Sequence, residues 1–460
     1  MTLTVTIGLD LGTTVSKAIA RLADGETIGT ANRSSTWLTT SDGHTETDAN
    51  GYIELAIGLL NDVVAEAEAL RGPVSVSAVG ITGLAESGVL LNSSGQPIAP
   101  VVAWFDRRGE TETALISKHA PAFASAFAAA TGLPWDCQPS VAKLLSFRAA
   151  GIPITQGSRW LSVQEWVAFA LGADQVREPS LASRTGLIDQ DTGELWEPIR
   201  ELAGLPARFL PPAVTAGVSA GILKHAGLPA QYADAIVTVA GHDHPVAAVG
   251  AGAVGPDAVF NSSGTADVVL RSISGEVDAA TRLSLVRAGW SLGAHVLPQT
   301  SLLIGGARGG LFLRRILNLL GAQDQPERDA LDLAATSVGD LPEGLLLSGT
   351  GPTGDDVQIA LRDDASPAAL WAAATRLTAG NLHDLLESLG PIVGRSGEIV
   401  AAGGWTRMMS VRLAKRAAMP GIRFAKDDQP GLVGAAMFAR QAAEPLASFA
   451  ASAPTNQHHI

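Results

Sequence analysis

Asp10-Leu-Gly12-Thr13-Thr14 has the composition of a phosphate-binding turn. Glycine lets backbone N–H groups approach a phosphate with no Cβ in the way, and two threonine hydroxyls add donors. Asp10, at the end of a β-like run, suits Mg2+ held through water, and Lys17 adds positive charge. The same residues also read as a structural Asx or ST turn. A second unit, Asn261-Ser-Ser-Gly264-Thr265, repeats the Gly-Thr pair, and Gly403-Gly404 ends a later apolar run. Together the three would clasp one nucleotide from several sides; alone, Gly403-Gly404 reads equally as a strand-to-helix turn.

Asp243 stands between His242 and His244, just before Pro245. Two readings remain side by side: a helix N-cap, or a general base that takes the proton of an attacking hydroxyl. The histidines suggest a metal, but no third ligand is evident, and a role in shaping a substrate pocket or in packing is preferred. Trp104-Phe-Asp106-Arg-Arg108 offers an indole face for sugar C–H surfaces and a carboxylate for hydroxyls, or else a solvated strand end. Glu86 is a loop carboxylate awaiting a neighbour.

These residues need elements to hold them. Leu3–Leu9 and Val15–Leu22 read as strands around the first turn, and Val74–Thr82 as another strand. Helical spacing covers 55–70, and helices are expected over 110–130 and 140–151. Val89–Leu91 and Pro100–Ala103 look like strand, turn, strand. A β-branched run over Ala235–Ala240 precedes Asp243, with a helix expected from Val246 to Ala251 behind Pro245. Ala258–Leu270 again reads as strand, Gly-Thr turn, strand. The repetition implies two related α/β domains meeting near residue 250. Strand Glu398–Ala402 and helices Met409–Ala418 and Gly431–Ala443 close the pattern.

At 460 residues there is room for a large core and about two or three domains. The net charge of −13 lacks the global basic balance usual in nucleic-acid and acidic-membrane binders. The single cysteine, Cys137, excludes an internal disulfide and Cys-rich metal sites, and suits a reduced, cytoplasmic setting. The start Met-Thr-Leu-Thr-Val lacks a signal peptide's pattern, and no run of about 18 residues is apolar enough to span a membrane. There is no Gly-Lys dipeptide, hence no Walker A loop. Gly250-Ala-Gly252-Ala-Val-Gly255 matches a dinucleotide fingerprint, but it follows a helix and precedes a strand, the reverse of the required context.

Ile7–Thr14, Ala240–Pro245, Asn261–Thr265 and Ala402–Gly404 with Gly434-Ala-Ala436 run in an order that resembles the FGGY carbohydrate kinases. Ala182–Leu187, Trp196 and Leu210-Pro-Pro212 fit the same pattern. The resemblance implies an α/β chain of two actin/hexokinase-like (ribonuclease-H-like) domains, 1–248 and 249–460, with a nucleotide and sugar cleft between them. It implies ATP and Mg2+ as cofactors and a small sugar or polyol as substrate, with no nucleic acid or membrane partner. A homodimer is in keeping with the family, although no interface signature stands in the sequence. By the same resemblance Asp10 sits near Mg2+, and Gly12, Thr13 and Thr14 face the phosphates. Asp243 is the base, Gly264 and Thr265 form the second phosphate turn, Gly305 and Gly306 line the nucleotide site, and Gly403 and Gly404 contact adenosine. Glu86, Trp104 and Asp106 fall where glycerol kinases and xylulokinases put sugar-contacting groups, whereas His242 and His244, expected from the residues to shape the substrate pocket, differ from the best-known members. A nucleotide- and sugar-binding sensor on the same scaffold is the alternative. There are departures: Ala85 stands where glycerol kinases have Arg, Gly83-Leu-Ala-Glu-Ser87 replaces the Met-His pair of xylulokinases, and 348–356 lacks a Gly-Glu-Arg segment. No individual substrate therefore transfers.

Overall fold

Alternating burial along Leu3–Leu11 sets the plan of the first half. Val5, Ile7 and Leu9 face a cluster that includes Leu59, Leu60 and Val63 of helix Ala49–Arg71. Gly8, of opposite parity, faces helix Pro430–Ala443 from the far end of the chain. A strand covered by helices on both sides is buried on both faces, as parallel-type sheets require. The computed structural model describes residues 2–264, 267–307, 309–349, 357–362 and 364–444.

The first sheet runs Thr27–Ser34, Val15–Arg21, Leu3–Leu11, Val74–Gly83, Ile236–His242, Gly221–Ile222. Neighbours among the first three strands are antiparallel; Leu3–Leu11, Val74–Gly83 and Ile236–His242 are parallel. The second sheet runs Ser291–Ala294, Thr300–Ala307, Asp267–Ser274, Val259–Ser263, Ile399–Ala402, Arg423–Phe424. Apart from one extra edge strand in each, the order and directions are the same: a three-strand meander followed by two parallel strands. The Gly-Thr repeat therefore marks a repeated fold. Helix Pro367–Glu387 covers one face of the second sheet through Leu382 and Leu386, and Ala248 of helix Asp243–Gly250 packs with Phe260 and Leu270 on the other.

Helix Pro430–Ala443 follows the second sheet in sequence yet packs on the first. A boundary at 248/249 assigns it by sequence to one domain and leaves it by packing on the other. Glycines make the contact. An added Cβ would lie 2.2 Å from Leu432 O at Gly8, 2.1 Å from Ala435 O at Gly80, 2.1 Å from Val246 O at Gly434 and 1.9 Å from Pro430 O at Gly250. We expect Gly8→Ala to destabilise the protein by about 1–3 kcal/mol, the usual cost of overpacking, read as a lower urea midpoint with unchanged slope. The domains are also tied by Arg282, which grips Asp191 through two bonds of 2.7 and 2.8 Å and donates to Ala129 O.

Several expected elements differ in detail. The span 110–130 is two helices, Glu110–His119 and Phe123–Thr131, parted at Pro121, whose ring admits no continuous ladder. The helix after Ala235–Ala240 starts at Asp243, with His242 in the capping position, so Pro245 lies in its first turn. Gly88–Leu91 and Val101–Val102 do not pair with each other. The former pairs with Arg159–Ser162 and the latter with Thr45–Thr47.

Candidate active site

Three strand ends of the first sheet converge on one cavity of about 530 Å3. Leu3–Leu11 delivers the turn at 12–14, Val74–Gly83 delivers Leu84, Ala85 and Glu86, and Ile236–His242 delivers Asp243. From the second sheet, Val268, Trp290, Ser291, Ile304, Gly305 and Gly306 form the facing wall. Catalytic sites of open α/β sheets sit at such strand ends because the loops there carry no ladder constraint.

The first turn is tight. A Cβ on Gly12 would lie 2.5 Å from Val15 O, and Ser35 holds the turn by donating its Oγ to Gly12 O at 2.7 Å and its N–H to Thr14 O at 3.0 Å. Thr13 lines the cavity; its Oγ1 accepts from Trp104 Nε1 at 3.1 Å, linking the turn at 12–14 to the Trp104 loop. Lys17 pairs in register with Asp10.

Asp10 and Asp243 are half-buried, and each turns inward an Oδ1 that is itself buried and has no hydrogen-bond partner. Burial, then the charge of Asp243, push Asp10 up to about 7, while Lys17 opposes them. Burial also acts against ionisation of Asp243, but the imidazoles of His244 and His242 outweigh it and hold that carboxyl down at about 2. His242 Nε2 stands 3.2 Å and His244 Nδ1 4.0 Å from Asp243 Oδ1. The histidines thus keep Asp243 ionised and line the pocket beside it. Burial lowers the His244 pKa, with Asp243 pulling the other way. Environments that drive two neighbouring carboxyls apart are the mark of divided chemical roles. His242, Asp243 and His244 place one ligand atom each within 4.8 Å of one another, so a metal-ligating arrangement is met here as geometry.

Glu86 holds a left-handed backbone, φ 62°, unusual outside glycine. Ser140 Oγ donates to its carbonyl at 2.9 Å, and Arg184 Nε donates to its Oε1 at 2.7 Å. Arg184 NH1 also donates to Ser291 Oγ across the cleft at 2.9 Å. Trp104 lines the same cavity, with Phe105 edge-on at 5.5 Å. Asp106 does not line it. Its carboxylate accepts from the backbone N–H of Thr45 and of Arg108, and His44 and Arg108 stand at 3.3 and 3.1 Å. Against burial, these donors hold it below the usual carboxylate range. The residue anchors the Trp104 loop and offers no free oxygen to the cavity.

On the second sheet, Gly403 packs against the backbone of Ser263, and Gly310 against that of Gly264. A Cβ on Gly403, φ 110°, would lie 2.4 Å from Ser263 O, and one on Gly310 would lie 1.8 Å from Gly264 O. Gly404 opens the short helix Gly404–Arg407. Thr265 lies outside the described residues, as does most of 348–356. Beneath the turn, Asp267 accepts from Ser263 Oγ at 2.8 Å, while Lys415 Nζ lies 3.4 Å from it and donates to Asn261 Oδ1 at 2.8 Å. Sequence reasoning missed Arg184, Gln138, Trp290, Ser291 and Asp267. Asp267 stands three residues after Gly264, opposite Ser263 across the hairpin; Arg184 lay within Ala182–Leu187 but was not singled out, and the others carried no signal.

Comparison with known proteins agrees with this geometry. Residues 5–250, more than half of the chain, match the model of the N-terminal domain of the FGGY family of carbohydrate kinases. A glycerol kinase of Janthinobacterium sp. (strain Marseille) is 28% identical over 349 residues, covering 73% of this chain and 67% of that protein. The solved xylulose kinase of Rhodospirillum rubrum superposes with a TM-score of 0.81 at 22% identity, over 96% of this chain and 91% of that one. The glycerol kinase of Plasmodium falciparum, solved with ADP, gives 0.82 at 17% identity, over 95% and 89%. No helix among the described residues is long and apolar enough to cross a membrane. Two sheets of one topology closing on a shared cleft, and a family model that spans the first of them whole, leave one conclusion: the chain belongs to the FGGY family of carbohydrate kinases and is an ATP-dependent sugar or polyol kinase.

Proposed function

We propose that the acceptor is a small ketopentose, tetrulose or polyol, bound among Glu86, Trp104, His242 and His244, and that Asp243 is its general base. The observation that carries this is the single cavity holding Asp243, Thr13 and the Gly305-Gly306 edge together. A hydroxyl of the acceptor lies in line with the γ-phosphorus. Its proton passes to Asp243 as the new P–O bond forms and the bond to the β-phosphate oxygen breaks, leaving ADP. N–H groups and hydroxyls of the turns at 12–14 and 264–265 meet the charge spread over the transferring group. Closure of the two domains excludes water from it.

The buried, unpartnered oxygens of Asp10 and Asp243 suit a hard cation. Mg2+ there would be held by Asp10, through water, with Asp243 behind it; when bound it neutralises phosphate charge. Asp10 carries a proton below about pH 7, and a cation must displace it. The Mg2+ concentration for half-maximal rate should therefore climb, by up to about tenfold per pH unit, as pH falls below about 7. Asp10→Asn should raise that concentration at every pH and flatten its pH dependence. A wild-type value that stays constant between about pH 8 and pH 6 removes Asp10 from the cation site.

The substrate is tested by sugar-dependent ADP release with Mg2+-ATP over ketopentoses, tetruloses, polyols, 6-deoxy sugars and sugar acids. One compound with a kcat/KM far above the rest is the expected result. A preferred sugar acid would overturn the proposed class.

A further inference from the structure

Lys143 has no part in the chemistry above, yet it is among the most buried residues of the chain, 1% exposed. It lies in helix Ser140–Ala149. Its Nζ donates to Gln138 O at 2.7 Å, to Trp104 O at 3.2 Å and to Cys137 O. An ammonium has three N–H donors and no acceptor, and here each donor has one backbone carbonyl. Among the described residues it forms no ion pair. Burial of a charge is costly unless it is compensated, so a lysine that only filled space would be better replaced by methionine.

The three carbonyls come from two loops. One carries Trp104, after strand Val101–Val102; the other, before helix Ser140–Ala149, carries Pro134 and Gln138. Trp104, Pro134 and Gln138 line the cavity. The two loops are therefore pinned, from behind, to one charged atom. We infer that Lys143 is a positioning residue for the acceptor: it fixes the spacing of the Trp104 and Gln138 walls without touching the substrate. The inference rests on the proposed reading of this cavity as the acceptor pocket.

Titration supports it. Burial lowers the amine to about 8, while Glu86, Cys137, Asp106 and Asp136 around it act in the opposite sense. Glu86 comes from the turn before Gly88–Leu91, Asp106 from the Trp104 loop, and Asp136 and Cys137 from the loop before the helix. Above about pH 8 the neutral amine keeps two N–H donors for three carbonyls, so one contact of the staple is lost.

The test is Lys143→Met, with Lys143→Arg as the variant that keeps charge and donors. Lys143→Met should raise the acceptor KM about tenfold or more with little change in the KM for ATP, since small displacements of positioning groups act on the oriented ligand. The wild-type acceptor KM should rise above about pH 8, and Lys143→Met should lack that rise. Lys143→Arg should restore part of the acceptor affinity. Amide hydrogen exchange, which needs no substrate, should quicken over 101–106 and 134–139 in Lys143→Met and stay unchanged in Leu3–Leu11. Equal rises in both KM values, or unchanged exchange over 101–106, overturn the inference. An active-site reading that failed, with no sugar driving ADP release, would leave the exchange result standing as a separate test of the staple. If Lys143→Met does not fold, Lys143→Gln, which cannot supply three charged donors, is read in the same way: an acceptor KM and an exchange rate over 101–106 both like the wild type refute it.

Discussion

Asp243→Asn is expected to lower sugar-dependent turnover by about 10²–10⁴-fold, the usual worth of a positioned base, with a thermal melt close to that of the wild type. Asparagine keeps the shape at the start of helix Asp243–Gly250 but cannot accept a proton. The substitution also removes the charge that helps push Asp10 upward, so the pH at which Mg2+ begins to lose to a proton should move down. Both effects have one cause and are read in one experiment, kcat and Mg2+ dependence against pH. Full turnover by a normally folded Asp243→Asn protein would take the base assignment away, whatever the pH behaviour.

Glu86→Ala is expected to destabilise the fold by about 3–5 kcal/mol and to abolish acceptor binding in what remains folded. The reason is Arg184. Both side chains are buried, and Glu86 is the only carboxylate the described residues place on that guanidinium, at 2.7 Å. Removal of one partner leaves an uncompensated buried charge, whereas removal of both as Glu86→Leu with Arg184→Met should recover most of the stability. Urea denaturation of the two single variants and the double variant checks the cycle. A further handle is the backbone: at φ 62°, Glu86→Gly should be less destabilised than Glu86→Ala, by about 1 kcal/mol, although it deletes more atoms. If Glu86→Ala melts with the wild type, the pair is not what braces the floor of the pocket.

The parts of this molecule that announce themselves in sequence are those where backbone chemistry restricts residue type. Gly12 sits where a side chain cannot, and the Gly-Thr pairs marked a repeat that the two sheets share apart from one edge strand in each. Asp243 was legible because the strand Ile236–His242 is a clean β-branched run that ends on it. Other parts depend on distances the chain does not reveal. Glu86 and Arg184 are 98 residues apart in sequence, and neither spacing nor type pairs them. Lys143 lies in an amphipathic run where a lysine ordinarily marks the solvated face. Asp106 has the residue type of a sugar ligand, yet adjacent backbone N–H groups claim both its oxygens, a competition that only the folded loop decides. Periodicity found the helix Pro430–Ala443 but not its resting place; Gly434-Ala-Ala436 was the trace of it, small residues where one backbone lies on another.

That resting place bears on how the protein is made. Leu3–Leu11 and Val74–Gly83 leave the ribosome early, but the helix that seals one of their faces is written hundreds of residues later. At roughly 5–20 residues per second the open face waits on the order of 20 to 70 s. Throughout that interval the face that will carry the helix, centred on Gly8 and Gly80, lacks its cover. Synthesis of the second half is in this sense a folding step of the first, and a ribosome stalled before Pro430 would hold a chain whose opening strands have been built but not covered.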